Sequence, residues 1–244
     1  MPSALDAAFD GPHAKRRYVR RLFATIADRY DLITRLLSYG QDARWKRRLV
    51  RLADPRPGER VLDLASGTGD LAYLAAARGA RVVGIDITHR MLQIARGKAA
   101  GPAPAVPSFV GGDMAALPVA AGSVDLVTTG YGLRNVPDLP AAIDEIARVL
   151  RPGGRLASLD FNRPESAWLR VAYLGYLSAV GGAVGRVLHG DPDTYRYIPA
   201  SIRRYPGARG VAALLEARGF VDVRVVPLLG GLMSLHVARR EEGV

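Results

Sequence analysis

From residue 60 onward the chain alternates short, fully apolar runs with helical patterns, and this constrains the fold more than any other feature. RVLDLA (60–65) is followed by GDLAYLAAARG (69–79), and ARVVGID (80–86) by THRMLQIARGKAA (88–100), whose Thr88 can serve as N-cap. PSFVGGD (107–113), SVDLVTTG (123–130), LPAAIDEIARVL (139–150) and GGRLASLDF (153–161) continue as strand, strand, helix, strand. Strands apolar on both faces and separated by helices predict a parallel sheet covered on both sides. A last helix, ARGVAALLEARG (208–219), leads into FVDVRVV (220–226) and GLMSLHVA (231–238). The short PLLGG (227–231) between those two runs predicts a hairpin, so the last strand is expected antiparallel to its neighbour.

The expected fold is therefore α/β, with a mostly parallel sheet of seven strands. At 244 residues and 49% hydrophobic content the chain can bury one substantial core. Residues 1–52 read as helices, with Leu22, Phe23 and Ile26 and then Leu32, Leu36 and Leu37 at three-to-four spacing, and ADPRPGER (53–60) breaks the pattern. This divides the chain into an N-terminal helical segment (1–52) expected to cover the site and a main domain (53–244). Residues 165–206 form an apolar, lid-like insertion within the latter.

Cysteine is absent, which removes disulfides, thiolate nucleophiles and Cys-bearing zinc sites and points to a reducing interior. The four histidines are scattered and the carboxylates lack ligand spacing, so no metal site is expected. The N-terminus lacks a signal-peptide core, and the longest uncharged run, Val171 to Gly185, is 15 residues with four glycines. A membrane span needs about 20. A cytoplasmic protein is expected, one able to rest on the inner face of a membrane. The charge of +11 is concentrated in KRRYVRR (15–21) and RWKRRLVR (44–51); such clusters serve an anionic surface or simply form solvated helix faces.

The first strand ends in DLASGTGDLA (63–72), placing Gly67, Thr68 and Gly69 at a strand-to-helix turn where backbone amides can meet a ligand. Asp86 closes the second strand 17 residues after Gly69, where a carboxylate can accept from both hydroxyls of a ribose. Gly67-x-Gly69-x-x-Ala72 also satisfies the dinucleotide fingerprint, so a nicotinamide enzyme stays open, although the Tyr-x-x-x-Lys pair of short-chain dehydrogenases is missing. Asp63 in the turn, Asp113 after the third strand, the Pro-Gly-Gly turn (152–154) and the final hairpin together resemble the class I methyltransferases. That resemblance implies S-adenosylmethionine as cofactor. Asp63, Gly67, Thr68, Gly69, Asp86 and Gly130 would hold it, with Asp113 near the adenine amino group and Met114 against the ring; Met114 as core filler is the alternative.

A cytosine-C5 enzyme needs a cysteine, and amino-methyltransferases carry Asp/Asn-Pro-Pro-Tyr where this chain has TGYGLRN, so neither route to nucleic acid is open and no nucleic-acid partner is expected. YDLITRLLSYGQDARW (30–45), GLRN (132–135), RVLRPGGRLASLDFN (148–162), YRYIPASI (195–202) and GGLMSLH (230–236) resemble the ubiquinone/menaquinone biosynthesis C-methyltransferases, the UbiE group, over nearly the whole chain. The chain departs from that pattern at Ile33 and Thr34, at Asp42 where the family has His, at Arg151, and at Asp160 and Asn162. These departures leave the cofactor assignment intact and the exact acceptor less fixed.

The resemblance implies methyl transfer to a ring carbon of a prenylated quinol, demethylmenaquinol or the analogous ubiquinone precursor. A ring carbon becomes nucleophilic when the neighbouring hydroxyl loses its proton, so Arg134 would hold the phenolate or orient a water, Asn135 the second oxygen, and Tyr30 would join the proton network. Gly130 and Gly132 would leave room for sulfonium and ring. The structural alternatives are an ion pair from Arg134 to Asp138 and a capping role for Asn135. His236 is a second candidate base. Trp168, Leu169, Tyr173, Leu174, Tyr176, Leu177, Val180 and Val184 offer an apolar channel for an isoprenoid tail; covering a sheet edge or making a homodimer contact would use them equally well. Two other readings stand beside this one: methylation of a phenolic or polyketide small molecule, and a non-catalytic, cofactor-binding scaffold of a quinone-biosynthesis complex.

Overall fold

The computed structural model describes residues 4–98, 106–189 and 193–242. Four helices come first: α1 (Ala4–Ala7), α2 (Pro12–Ile26), α3 (Tyr30–Leu37) and α4 (Asp42–Ala53). The alternating unit follows as β1 (Arg60–Leu64), α5 (Asp70–Ala76), β2 (Arg81–Asp86), α6 (His89–Gly97), β3 (Ser108–Gly111), β4 (Val124–Gly130), α7 (Leu139–Val149) and β5 (Leu150–Phe161). Then come α8 (Ala167–His189), α9 (Asp193–Arg204), α10 (Gly207–Glu216), β6 (Phe220–Leu228) and β7 (Met233–Arg240).

The seven strands lie in the order β3-β2-β1-β4-β5-β7-β6. β1 to β5 pair in parallel, and β7 is antiparallel to both β5 and β6, as the short connection predicts. Two buried clusters fill the two faces. One is built on Leu49, Leu71, Leu126 and Leu235, the other on Leu64, Val127, Ile146 and Leu156. Successive residues of β4, Leu126 and Val127, thus serve opposite faces, which is why its sequence reads as continuously apolar. Strand order reverses between β1 and β4, and a crevice opens at their carboxyl ends, where ligands of open α/β sheets bind.

Several expected boundaries shift for local reasons. β3 is four residues and stops at Gly111; Asp113 instead forms an isolated bridge with Ala116. β5 begins at Leu150, and its pairing to β4 jumps from Val124↔Leu150 to Leu126↔Arg155, so the Pro152–Gly154 turn is absorbed as an irregularity in the strand. Thr88 sits at the N-cap of α6 but makes no side-chain capping bond; Asp86 accepts its backbone N–H at 2.7 Å instead. At α7 the capping is conventional, with the Asp138 carboxylate accepting from Ala141 N at 3.0 Å and Pro140 in the first turn.

Candidate active site

The glycine turn after β1 folds back on Asp86. Gly67 and Gly69 hold positive φ of 54° and 86°, which lets the backbone reverse and aim the Gly67 amide at the Asp86 carboxylate, 2.8 Å away. Asp86 accepts from Gly67 N through one oxygen and Thr88 N through the other, each keeping lone pairs for a ligand. Burial pushes its carboxyl up and the two amides oppose that. Asp63, wholly enclosed at the end of β1, accepts from Thr128 Oγ1 at 2.7 Å through Oδ1, while Oδ2 has no partner. Burial raises it to about 7, against the Thr128 hydroxyl and the Ala72 amide. This unpartnered carboxylate oxygen lies beside a small polar space lined by Lys46, Gly67, Thr68 and Asp70, in which the Lys46 ammonium favours the ionised carboxylate.

A larger cavity runs from this turn along the ends of β2 and β4. Gly67, Asp86, Asp113, Met114, Gly130 and Asn135 line it from the sheet side, and Arg16, Val19, Phe23 and Tyr30 from α2 and α3. Asp113 pairs with Arg16 at 2.9 Å and accepts from Ala115 N. Of the expected cofactor residues, Asp63, Gly67, Asp86, Asp113, Met114 and Gly130 therefore face this cavity or its polar annex. Thr68 reaches only the annex and donates its hydroxyl to Asp31 at 2.6 Å. Gly69 lines neither; a Cβ there would stand 2.8 Å from Phe109 Cζ, so packing against that ring requires the glycine. Gly132 has the same cause, its Cβ position falling 2.4 Å from Thr129 Oγ1, whereas at Gly130 a Cβ would stand 3.1 Å from the tip of Leu71, a contact a small shift of that side chain relieves.

Arg134 lies in a short 3-10 turn (Leu133–Asn135) after β4 and is buried. Its partner is Asp160, at the end of β5, which replaces the expected Asp138: Nε donates at 3.2 Å and the backbone N–H at 3.0 Å to the other oxygen. Nη1 donates to Asn135 Oδ1 and Ser201 Oγ, and the guanidinium carbon stands 4.9 Å from the Phe161 ring centre. Asn135 Nδ2 donates to Tyr131 O, so this residue braces the turn and does not cap α7. Lys15 on α2 donates to Val136 O at 2.6 Å, pinning the N-terminal segment to the same turn; burial and the guanidinium groups of Arg134 and Arg204 lower it to about 8.

A second cavity, apolar, adjoins the first. Arg134 is the one charged side chain lining it among the described residues, surrounded by residues of α2, α3, α8, α9 and the β6–β7 turn such as Ile33, Tyr173, Leu177, Ile198 and Leu232. Phe23, Tyr30 and Tyr131 line both cavities and form the wall between them. Burial raises Tyr30 to about 12, so at neutral pH its hydroxyl keeps its proton and serves as a donor. His236 lines neither cavity. It is buried in β7 between Ser158 Oγ and Ala208 O, and burial lowers its pKa.

Sequence reasoning missed the ion-pair chain that ties the N-terminal segment to the glycine turn. Tyr131 Oη donates to Asp42 at 2.7 Å, and Lys46 joins Asp42 at 2.7 Å to Asp70 at 2.9 Å. Lys98 in turn joins Asp70 to Asp31. The i,i+4 spacing of Asp42 and Lys46 on one helix was the only part visible locally.

Residues 12–240 match the ubiE/COQ5 methyltransferase family. The ubiquinone/menaquinone biosynthesis C-methyltransferase UbiE of Rubrivivax gelatinosus is 40% identical over 93% of this chain and 88% of its own. The demethylmenaquinone methyltransferase of Thermus thermophilus is 42% identical over 90% of this chain and 100% of its own. Among solved structures, a SAM-dependent methyltransferase of Thermotoga maritima, described as a possible histamine N-methyltransferase, superposes with a TM-score of 0.66 at 17% identity, covering 91% of this chain and all of its own. Phosphoethanolamine N-methyltransferase 2 of Haemonchus contortus, solved with S-adenosyl-L-methionine, gives a TM-score of 0.60 at 14% identity over 82% of this chain and 53% of its own. The fold is thus that of the class I methyltransferases, and with its crevice, glycine turn and buried arginine the chain belongs to the ubiE/COQ5 methyltransferase family.

Proposed function

We propose that this protein is a cytoplasmic enzyme that methylates a ring carbon of a prenylated quinol, with S-adenosylmethionine as donor and demethylmenaquinol as the favoured acceptor. The observation that carries this reading is the pair of cavities: one floored by carboxylates and backbone amides, the other apolar with a single fixed guanidinium, separated only by Phe23, Tyr30 and Tyr131.

When bound, the cofactor supplies an electrophilic methyl group on a sulfonium. The residues present fit it: Asp86 offers both oxygens to a ribose, Asp113 and Met114 flank the adenine end, and the orphaned Asp63 Oδ2 receives an α-ammonium. Arg134 is held by Asp160, Asn135, Ser201 and the face of Phe161, and among these bonds Nη2 is unused, so it can meet the acceptor phenolate without rearrangement. Tyr30 donates to an acceptor oxygen, while Asn135 braces Arg134. Arg134 would stabilise the acceptor oxygen as an anion once its proton has left to water in the cavity, making the neighbouring ring carbon nucleophilic toward the methyl group that the sulfonium supplies. Loss of the ring proton and return of a proton to the oxygen would then restore the quinol, with one proton released overall. In this reading α2 to α4 cover the cofactor and α8–α9 roof the tail.

Asp63 makes cofactor binding pH-dependent. A carboxyl raised to about 7 is protonated as pH falls through that value, and its attraction for an ammonium is lost. Affinity for S-adenosylmethionine is expected to fall about five- to tenfold between pH 7.5 and 6, and to be nearly flat over that range in Asp63→Asn. Isothermal calorimetry at the two pH values decides it.

The mouth of the apolar cavity is itself apolar. Tyr39, Tyr176 and Leu229 line it and are exposed, the two tyrosines stacked 6.2 Å apart. No helix among the described residues is long and apolar enough to cross a membrane. This rim would rest on a lipid surface and take the tail from it. Replacing Tyr39 and Tyr176 together with serine is expected to raise KM for a long-tailed acceptor about tenfold and leave a tail-less naphthoquinol unchanged.

The function is tested by incubating the purified protein with methyl-labelled S-adenosylmethionine and chemically reduced demethylmenaquinone, beside a panel of tail-less phenols. Label in the lipid extract supports the reading. Label only in the phenols would move the acceptor to small aromatic compounds.

A further inference from the structure

Tyr131 occupies a backbone conformation that its residue type disfavours. It directly follows β4, between Gly130 and Gly132, and its φ of 60° lies in the left-handed region that residues other than glycine rarely adopt. Such a residue persists only where its surroundings hold it. Its N–H donates to Leu159 O at 2.7 Å, and its carbonyl accepts from Asn135 Nδ2 at 2.7 Å. The ring is buried in the wall between the cofactor and acceptor cavities and ends in a hydroxyl that donates to Asp42 Oδ1 at 2.7 Å. Burial and the Asp42 charge push that hydroxyl well above its usual pKa, so it keeps its proton and remains a donor.

Asp42 is itself held. It opens α4, its N–H donates to Ser38 Oγ at 3.0 Å, and its second oxygen takes the Lys46 ammonium at 2.7 Å, one turn along the helix. At 8% exposure, its carboxylate oxygens have protein partners in place of bulk water. From Tyr131 two short routes lead to Arg134. Through the backbone, the Tyr131 carbonyl holds the Asn135 amide, whose Oδ1 accepts from Arg134 Nη1 at 3.1 Å. Through the rings, Tyr131 packs on Phe161 at a centroid distance of 5.7 Å, and the Arg134 guanidinium carbon stands 4.9 Å from the centre of the same Phe161 ring. Without the Asp42 bond, the disfavoured Tyr131 conformation loses one of the three hydrogen bonds that hold it, and both routes loosen.

We propose that Asp42 is a positioning residue for methyl transfer: by holding the Tyr131 hydroxyl it fixes the ring between the two cavities and, through Asn135 and Phe161, the direction in which Arg134 meets the acceptor. Asp42 lines neither cavity, so it acts through Tyr131 and not on the reacting atoms. This role rests on the reading of Arg134 as the group that meets the acceptor oxygen.

Three variants separate the bond from the ion pair beside it. Tyr131→Phe removes the hydroxyl and leaves Asp42 paired with Lys46, Asp42→Ala removes both, and Asp42→Asn keeps an oxygen that can accept from the phenol. Turnover is measured with S-adenosylmethionine and reduced demethylmenaquinone, and stability by denaturant unfolding. The order of Arg134 is read without turnover, by hydrogen exchange of its guanidinium in the ¹⁵N-arginine-labelled full chain, the signal being assigned by its loss in Arg134→Lys. Tyr131→Phe and Asp42→Ala are each expected to lower kcat about tenfold and to speed Arg134 exchange about fivefold. Their double variant should be no slower than the slower single, because both act through one bond. Asp42→Asn should recover most of the rate lost in Asp42→Ala while its unfolding midpoint stays low. A loss of stability with kcat and exchange unchanged would make the bond merely structural and overturn the role; so would a double variant in which the two losses multiply. Arg134 exchange that responds as expected, in a protein that transfers no methyl to the quinol, would uphold the positioning of Arg134 and overturn the acceptor.

Discussion

Arg134→Ala is expected to slow methyl transfer by about two to three orders of magnitude, the usual consequence of removing one preorganised donor from a developing anion. The same change leaves Asp160 buried and unpaired. Because it lies beneath the sheet end with burial already pushing its carboxyl up, the fold is expected to lose about 3 kcal/mol as well. The two effects separate in the double variant. Arg134→Ala with Asp160→Asn should recover most of the stability, read by denaturant unfolding, and none of the rate. Arg134→Lys keeps the charge but not the fork that engages Asp160, Asn135 and Ser201 at once, so it should also remain slow. A double variant that regained activity along with stability would mean that Arg134 matters only as a structural ion pair.

The second large effect belongs to the cofactor. With Asp86 holding the ribose as proposed, Asp86→Ala would remove two charged hydrogen bonds worth about 1.5 kcal/mol each, so the Kd for S-adenosylmethionine is expected to rise about 100-fold. Asp86→Asn should fall between, since its amide oxygen can still accept from Gly67 or Thr88 but not from both as a carboxylate does. Arg134→Ala should leave that Kd within a factor of three. Calorimetry on the three variants measures whether the two cavities are energetically distinct, as their different linings require.

The fold was legible because its signal is local and periodic. Apolar runs such as SVDLV, the 17-residue step from Gly69 to Asp86 and the short link before β7 each restrict the chain within a few residues. The meeting of the glycine turn with Asp86 was legible for the same reason: a turn and a strand end one unit apart must meet in a parallel sheet. The partners of Arg134 were not. Asp160 lies 26 residues away and Ser201 67, and they are brought together only because β5 neighbours β4 and α9 folds over both. Asp138, closer in sequence, was the natural guess, but the helix cap it makes turns its carboxylate to the α7 amides. The chain from Tyr131 through Asp42 and Lys46 to Asp70 spans up to 89 residues per bond, beyond any spacing rule. Asp42 and Asp160 stood out in the sequence only as departures from the family pattern, and in the structure both are buried ion-pair partners. Packing supplies a second reason for two of the glycines: a Cβ at Gly69 or Gly132 would meet Phe109 or Thr129 well inside contact distance, whereas Gly130 lines the cavity.

Arg134 is expected to turn the acceptor ring into a carbon nucleophile by holding its oxygen as an anion. The most direct test uses methyl-¹³C-labelled S-adenosylmethionine with reduced demethylmenaquinone and reads the product by ¹³C nuclear magnetic resonance. The expected result is a single labelled methyl bonded to a ring carbon, absent when Arg134→Ala is used. A labelled methyl on oxygen, or a carbon-bound methyl formed equally well by the variant, would contradict it.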